Sequence, residues 1–200
     1  MPNHPRTSMS SPLRALLAAA ALAASLTGAP ALAQATGGAN RAATASDATA
    51  GASQLQRADR KMIEDIAQAN LAEIATGRIA LDTSKDERVR RYAQAMIDDH
   101  TQAMTEVQQL AQTKGVPLPD GPDLKHKTMA TALKAMSGET FDRQYMSHSG
   151  VGDHEQTLNL LKKTQREAKD PELKALAVKM IPVVQRHLND AQRVAPAVRK

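Results

Sequence analysis

The chain has 200 residues, of which 42% are hydrophobic, 24% are charged and 2% are aromatic, and it carries a formal net charge of +5 with no cysteine. The lack of cysteine excludes disulfide bonds and a lipid anchor on an N-terminal cysteine. The composition also argues against nucleic acid as a partner, because such a surface needs clustered Lys and Arg with aromatic side chains that stack on bases.

The N-terminus has the layout of a secretory signal peptide. Arg6 and Arg14 are followed by a run rich in Ala and Leu at residues 15–26, and the small residues Ala31 and Ala33 suit a signal peptidase. We therefore expect cleavage after Ala33 and export to the periplasm or cell envelope. A retained membrane anchor is the less favoured alternative, because the apolar run has only about a dozen residues and a span needs roughly 20.

The remainder of the chain divides into a linker, a helical domain and a short tail. Removal of residues 1–33 lowers the net charge from +5 to +3, because two of the 26 basic residues and none of the 21 acidic residues lie there. Residues 34–56 are rich in Ala, Gly, Ser and Thr, which predicts a flexible linker. Residues 57–195 show helical periodicity and no strand pattern, and residues 196–200 form a basic tail.

The first half of the helical domain contains two long helices and one short helix. The first long helix is predicted over residues 58–81. The second begins at a capping box formed by Ser84 and Glu87, and it ends at Gly115. The short helix is predicted over residues 124–136, in the connection to the second half.

The second half of the domain contains two more long helices. The third long helix is predicted over residues 139–168, with a kink or break at Gly150 and Gly152, because each glycine costs about 1 kcal/mol relative to alanine in a helix. The fourth begins at an N-cap, Asp170, and Pro182 predicts a kink inside it. Short connections favour antiparallel neighbours, so the predicted fold is an all-α, antiparallel four-helix bundle with one short extra helix.

Polar side chains interrupt the apolar stripes near the middle of the long helices. His100, His154 and His187 lie on three different helices, and Glu73 lies on the first. The midpoints of antiparallel helices lie at similar depth, so these four side chains are predicted to converge as candidate ligands of a transition metal ion, the candidate cofactor. The side chains expected around them, as supports or as a polar network, are Asp99, Asp142, Tyr145 and His148.

Two hypotheses follow from this polar layer. Buried polar groups need hydrogen-bond partners, so the layer could be a structural network in a non-enzymatic envelope protein whose candidate partner is another envelope protein. The alternative is a metal-binding or redox bundle, although the Glu-x-x-His motifs of carboxylate-bridged dimetal bundles are missing from the sequence. The sequence contains no complete catalytic constellation, so enzyme activity is not predicted.

Five short segments in a fixed order carry a family resemblance. They are residues 70–74 (NLAEI), 92–100 (YAQAMIDDH), 114–119 (KGVPLP), 141–145 (FDRQY), and Pro182 with His187. Over about residues 59–194 the chain resembles the exported bacterial proteins of domain of unknown function 4142. The resemblance implies a ferritin-like four-helix bundle in the periplasm or cell envelope, with no established reaction. The positions that match the family's recurrent polar residues are Glu73, Asp99, His100, Asp142, Tyr145, His154 and His187.

Overall fold

A computed structural model describes residues 55–199, and every regular element within that range is helical, which confirms the all-α class. The predicted signal peptide and residues 34–54 of the predicted linker lie outside the described residues. The elements in chain order are α1 (Arg57–Thr83), α2 (Glu87–Lys114), α3 (Leu124–Lys134), α4 (Gly138–Tyr145), a π-helical segment (Met146–Asp153), α5 (His154–Glu167), α6 (Pro171–Val194) and a 3-10 turn (Ala195–Arg199).

The turn between α1 and α2 differs from the predicted capping box. Ser84 closes α1 instead of starting α2, because α1 extends beyond its predicted end. Asp86 caps α2, and its side chain accepts hydrogen bonds from the backbone N–H of Arg88 at 2.8 Å and of Val89 at 3.4 Å. The Ser84 hydroxyl in turn accepts the backbone N–H of Asp86 at 3.2 Å. The aspartate therefore takes the capping role that the sequence assigned to the serine.

The predicted helix ends at Gly115 and Asp170 are confirmed. Gly115 adopts a left-handed conformation with φ 63° and terminates α2. Asp170 caps α6 by accepting the backbone N–H groups of Glu172 and Leu173, each at 2.9 Å. Lys114 lies 2.7 Å from the Asp170 carboxylate, so the end of α2 is joined to the start of α6.

Contacts at the helix ends give the directions of neighbouring helices. Arg60 at the start of α1 donates to the carbonyl oxygen of Gly115 after α2, at 3.3 Å. Asp59, also at the start of α1, accepts the backbone N–H groups of Lys169 and Asp170 after α5, at 2.9 and 2.7 Å. Thus α1 runs antiparallel to α2 and to α5, while α6 packs on both α2 and α5.

Buried apolar side chains form two clusters. Each fully buried aliphatic side chain contributes about 1.5–3 kcal/mol to folding, so these clusters stabilise a chain without disulfides. The first cluster includes Ile63, Ile66, Val107, Leu161 and Leu173. The second includes Val89, Leu133, Phe141, Met146 and Val198, so part of the predicted basic tail packs into the core. In the part of the chain that the structure describes, no helix has the length and apolar character needed to cross a membrane.

The third long helix changes its pitch where a kink or break was predicted. The segment Met146–Asp153 widens into a π-helix and continues directly into α5. Gly150 permits this packing, because a Cβ atom there would lie 3.0 Å from the Met146 Cε and 3.1 Å from the Ala191 Cβ on α6. The two glycines therefore mark a wide helical turn that lies close against α6, and π-helical turns occur often at functional sites.

Candidate metal centre

Three of the predicted ligands converge in the protein interior. His100 on α2, His154 at the start of α5 and His187 on α6 are 3%, 1% and 2% exposed. Their ring centroids are 5.3 to 5.6 Å apart. One ring nitrogen of each histidine lies within 4.8 Å of one ring nitrogen of each of the others. We call these three residues the trihistidine cluster.

A hydrogen bond from α1 fixes the ring of His100. Its Nδ1 lies 2.9 Å from the Asn70 Oδ1. The amide group of Asn70 is itself oriented, because its Nδ2 donates to the carbonyl oxygen of Ile66 at 2.7 Å. The Asn70 oxygen therefore accepts, so the Nδ1 of His100 carries the proton and its Nε2 carries a lone pair. That Nε2 has no hydrogen-bond partner among the described residues.

The other two histidines have the same arrangement with different partners. His154 Nδ1 donates to the carbonyl oxygen of Ser149 at 2.8 Å, which leaves its Nε2 with a lone pair. His187 Nε2 donates to the Asp99 Oδ2 at 2.8 Å, which leaves its Nδ1 with a lone pair. Neither free nitrogen has a hydrogen-bond partner within residues 55–199. Each ring thus uses one nitrogen to fix its orientation and leaves the other available to a ligand.

The π-helical segment supplies the support for His154. Ser149 lies five residues before His154, which is the separation between hydrogen-bonded residues in a π-helix. The next carbonyl oxygen, that of Gly150, accepts the Tyr92 hydroxyl at 3.4 Å. The ring of Tyr92 lies edge-on to His154 with a centroid distance of 6.2 Å. The wide turn therefore presents two successive carbonyl groups to the side chains around the cluster.

Burial keeps the three imidazoles neutral. Loss of solvation lowers the pKa of His100 well below its usual range, and the neighbouring His154 and His187 lower it further. Burial also lowers the pKa of His154 to about 4 and the pKa of His187 below its ordinary value. A protonated imidazole cannot bind a metal, so neutral rings at neutral pH are the form that a metal site requires.

Glu73 lies beside the cluster but outside the group of converging nitrogens. Its Oε1 is 3.5 Å from the His154 Nδ1, which is the nitrogen already bonded to Ser149. Burial raises the pKa of Glu73 well above its usual range, and the negative charge of Asp153 raises it further. Burial therefore favours the neutral carboxylic acid form of this side chain, which lies on the protonated side of the His154 ring.

The four side chains expected around the histidines lie in four different environments. Asp99 is the only one of them with a hydrogen bond to the cluster, through His187. Tyr145 is fully buried one layer away, with its ring 6.2 Å from that of Tyr92. Asp142 lies instead near the α1–α2 turn, close to Ser84.

His148 is exposed to solvent, contrary to the prediction. A uniform α-helical period had placed it near the buried face, and the wider π-helical turn changes that period between His148 and His154. Asn70 and Tyr92 also support the cluster, although the sequence did not predict this role for them. The sequence shows only that each of these residues places a polar group within an apolar helical stripe. That pattern does not reveal which residue the polar group contacts.

Solved structures of other proteins share this fold. A DUF305 fragment from Deinococcus radiodurans is 14% identical, with a TM-score of 0.64 over 72% of this chain and 98% of that chain. CopM in the Cu(II)-bound form is 19% identical, with a TM-score of 0.59 over 70% of this chain and 96% of that chain. CopM in the Cu(I)-bound form is 17% identical, with a TM-score of 0.57 and the same coverage. At these identities the likeness concerns the fold alone.

Similarity at the level of sequence identifies the family of this chain. No curated protein sequence matches the chain at a significant level. The sequence profile described as Domain of unknown function (DUF4142) matches residues 44–194, which is more than half of the chain. This match confirms the family resemblance, and the chain belongs to the DUF4142 family.

Proposed function

We propose that this protein is an exported metal-binding protein that holds one copper ion with His100, His154 and His187. The observation that carries the proposal is the convergence of three buried imidazoles, each with one hydrogen-bonded ring nitrogen and one ring nitrogen that has no hydrogen-bond partner among residues 55–199. Three fixed lone pairs in one core layer form a preorganised ligand set. Glu73 and Asp99 lie next to this set without belonging to it, and Asp99 orients His187.

The proposal includes a ferritin-like four-helix bundle behind a cleaved signal peptide. Antiparallel packing of α1 on α2 and α5, with α6 against α2 and α5, supports the bundle. The signal-peptide layout of residues 1–33 supports export to the periplasm or cell envelope. Residues 34–56 would then link the leader to the bundle at residues 57–195, which ends in a tail at residues 196–200.

Hydrogen-bond chemistry favours a metal site over a purely structural network. The free nitrogens of the three histidines are all acceptors, so they cannot hydrogen-bond to one another. A buried acceptor without a donor costs about 1–3 kcal/mol. A bound cation can accept all three lone pairs together and so offsets this cost. A structural network would instead pair donors with acceptors across the cluster.

The donor set and its burial favour copper. Imidazole nitrogen suits copper, zinc, iron and nickel, and copper binds most tightly of these divalent ions to a given set of ligands. The three donors are neutral and buried, so the whole charge of the bound ion is placed in the core. Because burial of charge is costly, this favours the singly charged Cu(I). CopM, which has a similar fold, has been solved with both Cu(I) and Cu(II).

Copper titration of the purified, untagged chain tests the proposal. We expect one ion per chain, with affinity lowered by more than about 100-fold in His100→Gln, His154→Gln or His187→Gln, because loss of an outer support alone costs about 10–100-fold. Asn70→Ala should fall within that smaller range. His126→Gln and His148→Gln are matched controls, since each removes one histidine outside the cluster.

The same titration distinguishes the proposed metal site from a purely structural hydrogen-bond network. If the unaltered chain binds no copper and His100→Ala with His187→Ala only lowers the free energy of unfolding, the network interpretation replaces the metal site. Equal copper affinity in the control and cluster variants would place the ion elsewhere on the chain. In either case the proposed trihistidine site would be wrong.

A further inference from the structure

A pocket between α2 and α6 connects the protein surface with the trihistidine cluster. Its volume is about 110 Å³, which is room for several water molecules. His100 and His187 line its inner end, whereas His154 is not part of its wall. Ala103 on α2 and Val183 on α6 are half-buried and form opposite walls. Two of the three histidines can therefore be approached from solvent along one path.

Two ion pairs lie at the mouth of this pocket. Arg186 donates to the Asp99 Oδ2 at 2.8 Å, and Lys179 lies 2.6 Å from the Glu106 carboxylate. Both cationic side chains are more than half exposed, so water and salt screen these pairs and each is held only weakly. Asp99 also accepts the His187 hydrogen bond, so a single carboxylate links the mouth of the pocket to the cluster.

Other sides of the cluster are covered by packed side chains. Asn70 on α1 lies against His100, and Tyr92 lies edge-on against His154. Both residues are buried, at 1% and 5% exposure. Passage on these sides would require separating packed helices. Passage between α2 and α6 requires only the movement of long, exposed side chains.

We infer that the α2–α6 pocket is the route by which the metal ion enters and leaves the trihistidine cluster, with the Arg186–Asp99 pair as its closure. The inference rests on the proposed function. A cation that reaches the mouth meets the carboxylates of Asp99 and Glu106 first. Displacement of Arg186 from Asp99 then opens the way to the lone pairs of His100 and His187.

The route predicts that filling the pocket slows metal exchange without weakening metal binding. Ala103→Leu and Val183→Phe add side-chain volume on opposite walls. In each, we expect loss of Cu(I) to an excess of a chromophoric Cu(I) chelator to slow at least about tenfold, an increase of about 1.4 kcal/mol in the barrier. Loading should slow by a similar factor, so the affinity at equilibrium should stay within about threefold, or about 0.6 kcal/mol.

Val178→Phe is the matched control, because Val178 is an exposed residue of α6 that does not line the pocket. Its exchange should match that of the unaltered chain. Arg186→Ala removes the closure and should accelerate both loading and loss. This variant leaves the packed walls of the pocket unchanged, so it still tests the route if a filled-pocket variant fails to fold.

The outcomes separate this inference from the proposed function. If the unaltered chain binds no copper at equilibrium, both are overturned. If it binds copper through the three histidines but the folded Ala103→Leu and Val183→Phe variants exchange Cu(I) as fast as the control, only the route is overturned. Unchanged exchange in Arg186→Ala would overturn the closure and, where neither filled-pocket variant folds, the route with it.

Discussion

Acid should destabilise the metal-free protein through its buried histidines, and His154 gives the sharpest test. Its pKa is about 4 in the folded protein, chiefly because of burial, against 6.5 as its ordinary value. Between these two values the unfolded chain binds a proton that the folded chain does not. The stability that depends on neutral His154 is therefore complete above pH 6.5 and is lost as the pH falls toward 4. At 1.36 kcal/mol per pKa unit, the full loss is about 3 kcal/mol.

Neighbouring groups add to this dependence or oppose it. Burial lowers the pKa values of His100 and His187 too, so both contribute in the same direction. Glu73 acts oppositely, because its raised pKa means that stability is lost as the pH rises above the ordinary value of 4.5. The pKa of His126 is raised by the nearby carboxylates of Asp153 and Asp123, so its contribution is present below 6.5 and is lost as the pH rises. The contribution of His154 is therefore best measured as the difference in pH-dependent unfolding free energy between the unaltered chain and a variant that lacks His154.

Urea unfolding followed by circular dichroism measures this difference. With a chelator present, the free energy of unfolding is compared between about pH 7.5 and about pH 4.5 for the unaltered chain and for His154→Gln. The unaltered chain should lose about 2.5 kcal/mol more than the variant, because pH 4.5 lies above the folded pKa of His154 and does not reach the full loss. His148→Gln, a substitution at an exposed position, should follow the unaltered chain. The same pH dependence in His154→Gln and the unaltered chain would refute the assignment of a depressed pKa to His154.

Three further predictions concern the supports of the site and of the fold. Gly150→Ala should lower the free energy of unfolding by about 1–3 kcal/mol, because its Cβ would lie 3.1 Å from that of Ala191. Asp59→Ala should lower it by a similar amount in thermal unfolding, because two partly buried backbone N–H groups lose their acceptor. Glu73→Gln should raise stability at neutral pH, because the raised pKa of the buried carboxyl group opposes its ionisation, and urea unfolding should show the gain disappear in acid.

Each of these predictions has a control or a contrary result. Gly152→Ala is the control for the first, because its Cβ would have only an ordinary contact of 3.5 Å, so equal effects at the two glycines would contradict the packing argument. An unchanged melting temperature in Asp59→Ala would show that water replaces the carboxylate. A Glu73→Gln variant less stable than the unaltered chain at neutral pH would indicate an ionised Glu73.

The sequence alone determined the helices and most of their ends. Apolar residues at helical spacing predicted the elements, since burial of a stripe requires that period. Gly115 and Asp170 predicted their helix ends correctly, because a left-handed C-terminal residue and a side-chain acceptor at the N-terminus are local requirements. Ser84 was misassigned, since two nearby residues could serve as the cap and the length of α1 decided between them.

The depth of the histidines could also be estimated from the sequence, because antiparallel helices bring their midpoints together. Only the tertiary structure decided which nitrogen of each ring is hydrogen-bonded and which has no partner among the described residues. The bonded nitrogen is set by Asn70 for His100, by Ser149 for His154 and by Asp99 for His187. Asn70 and Asp99 lie on a different helix from the histidine they contact, and Ser149 lies one helical turn before His154. It also placed His148 in solvent, since a π-helical turn changes the angle between successive side chains. A helical period is a local property, whereas the pairing of buried polar groups depends on contacts between helices.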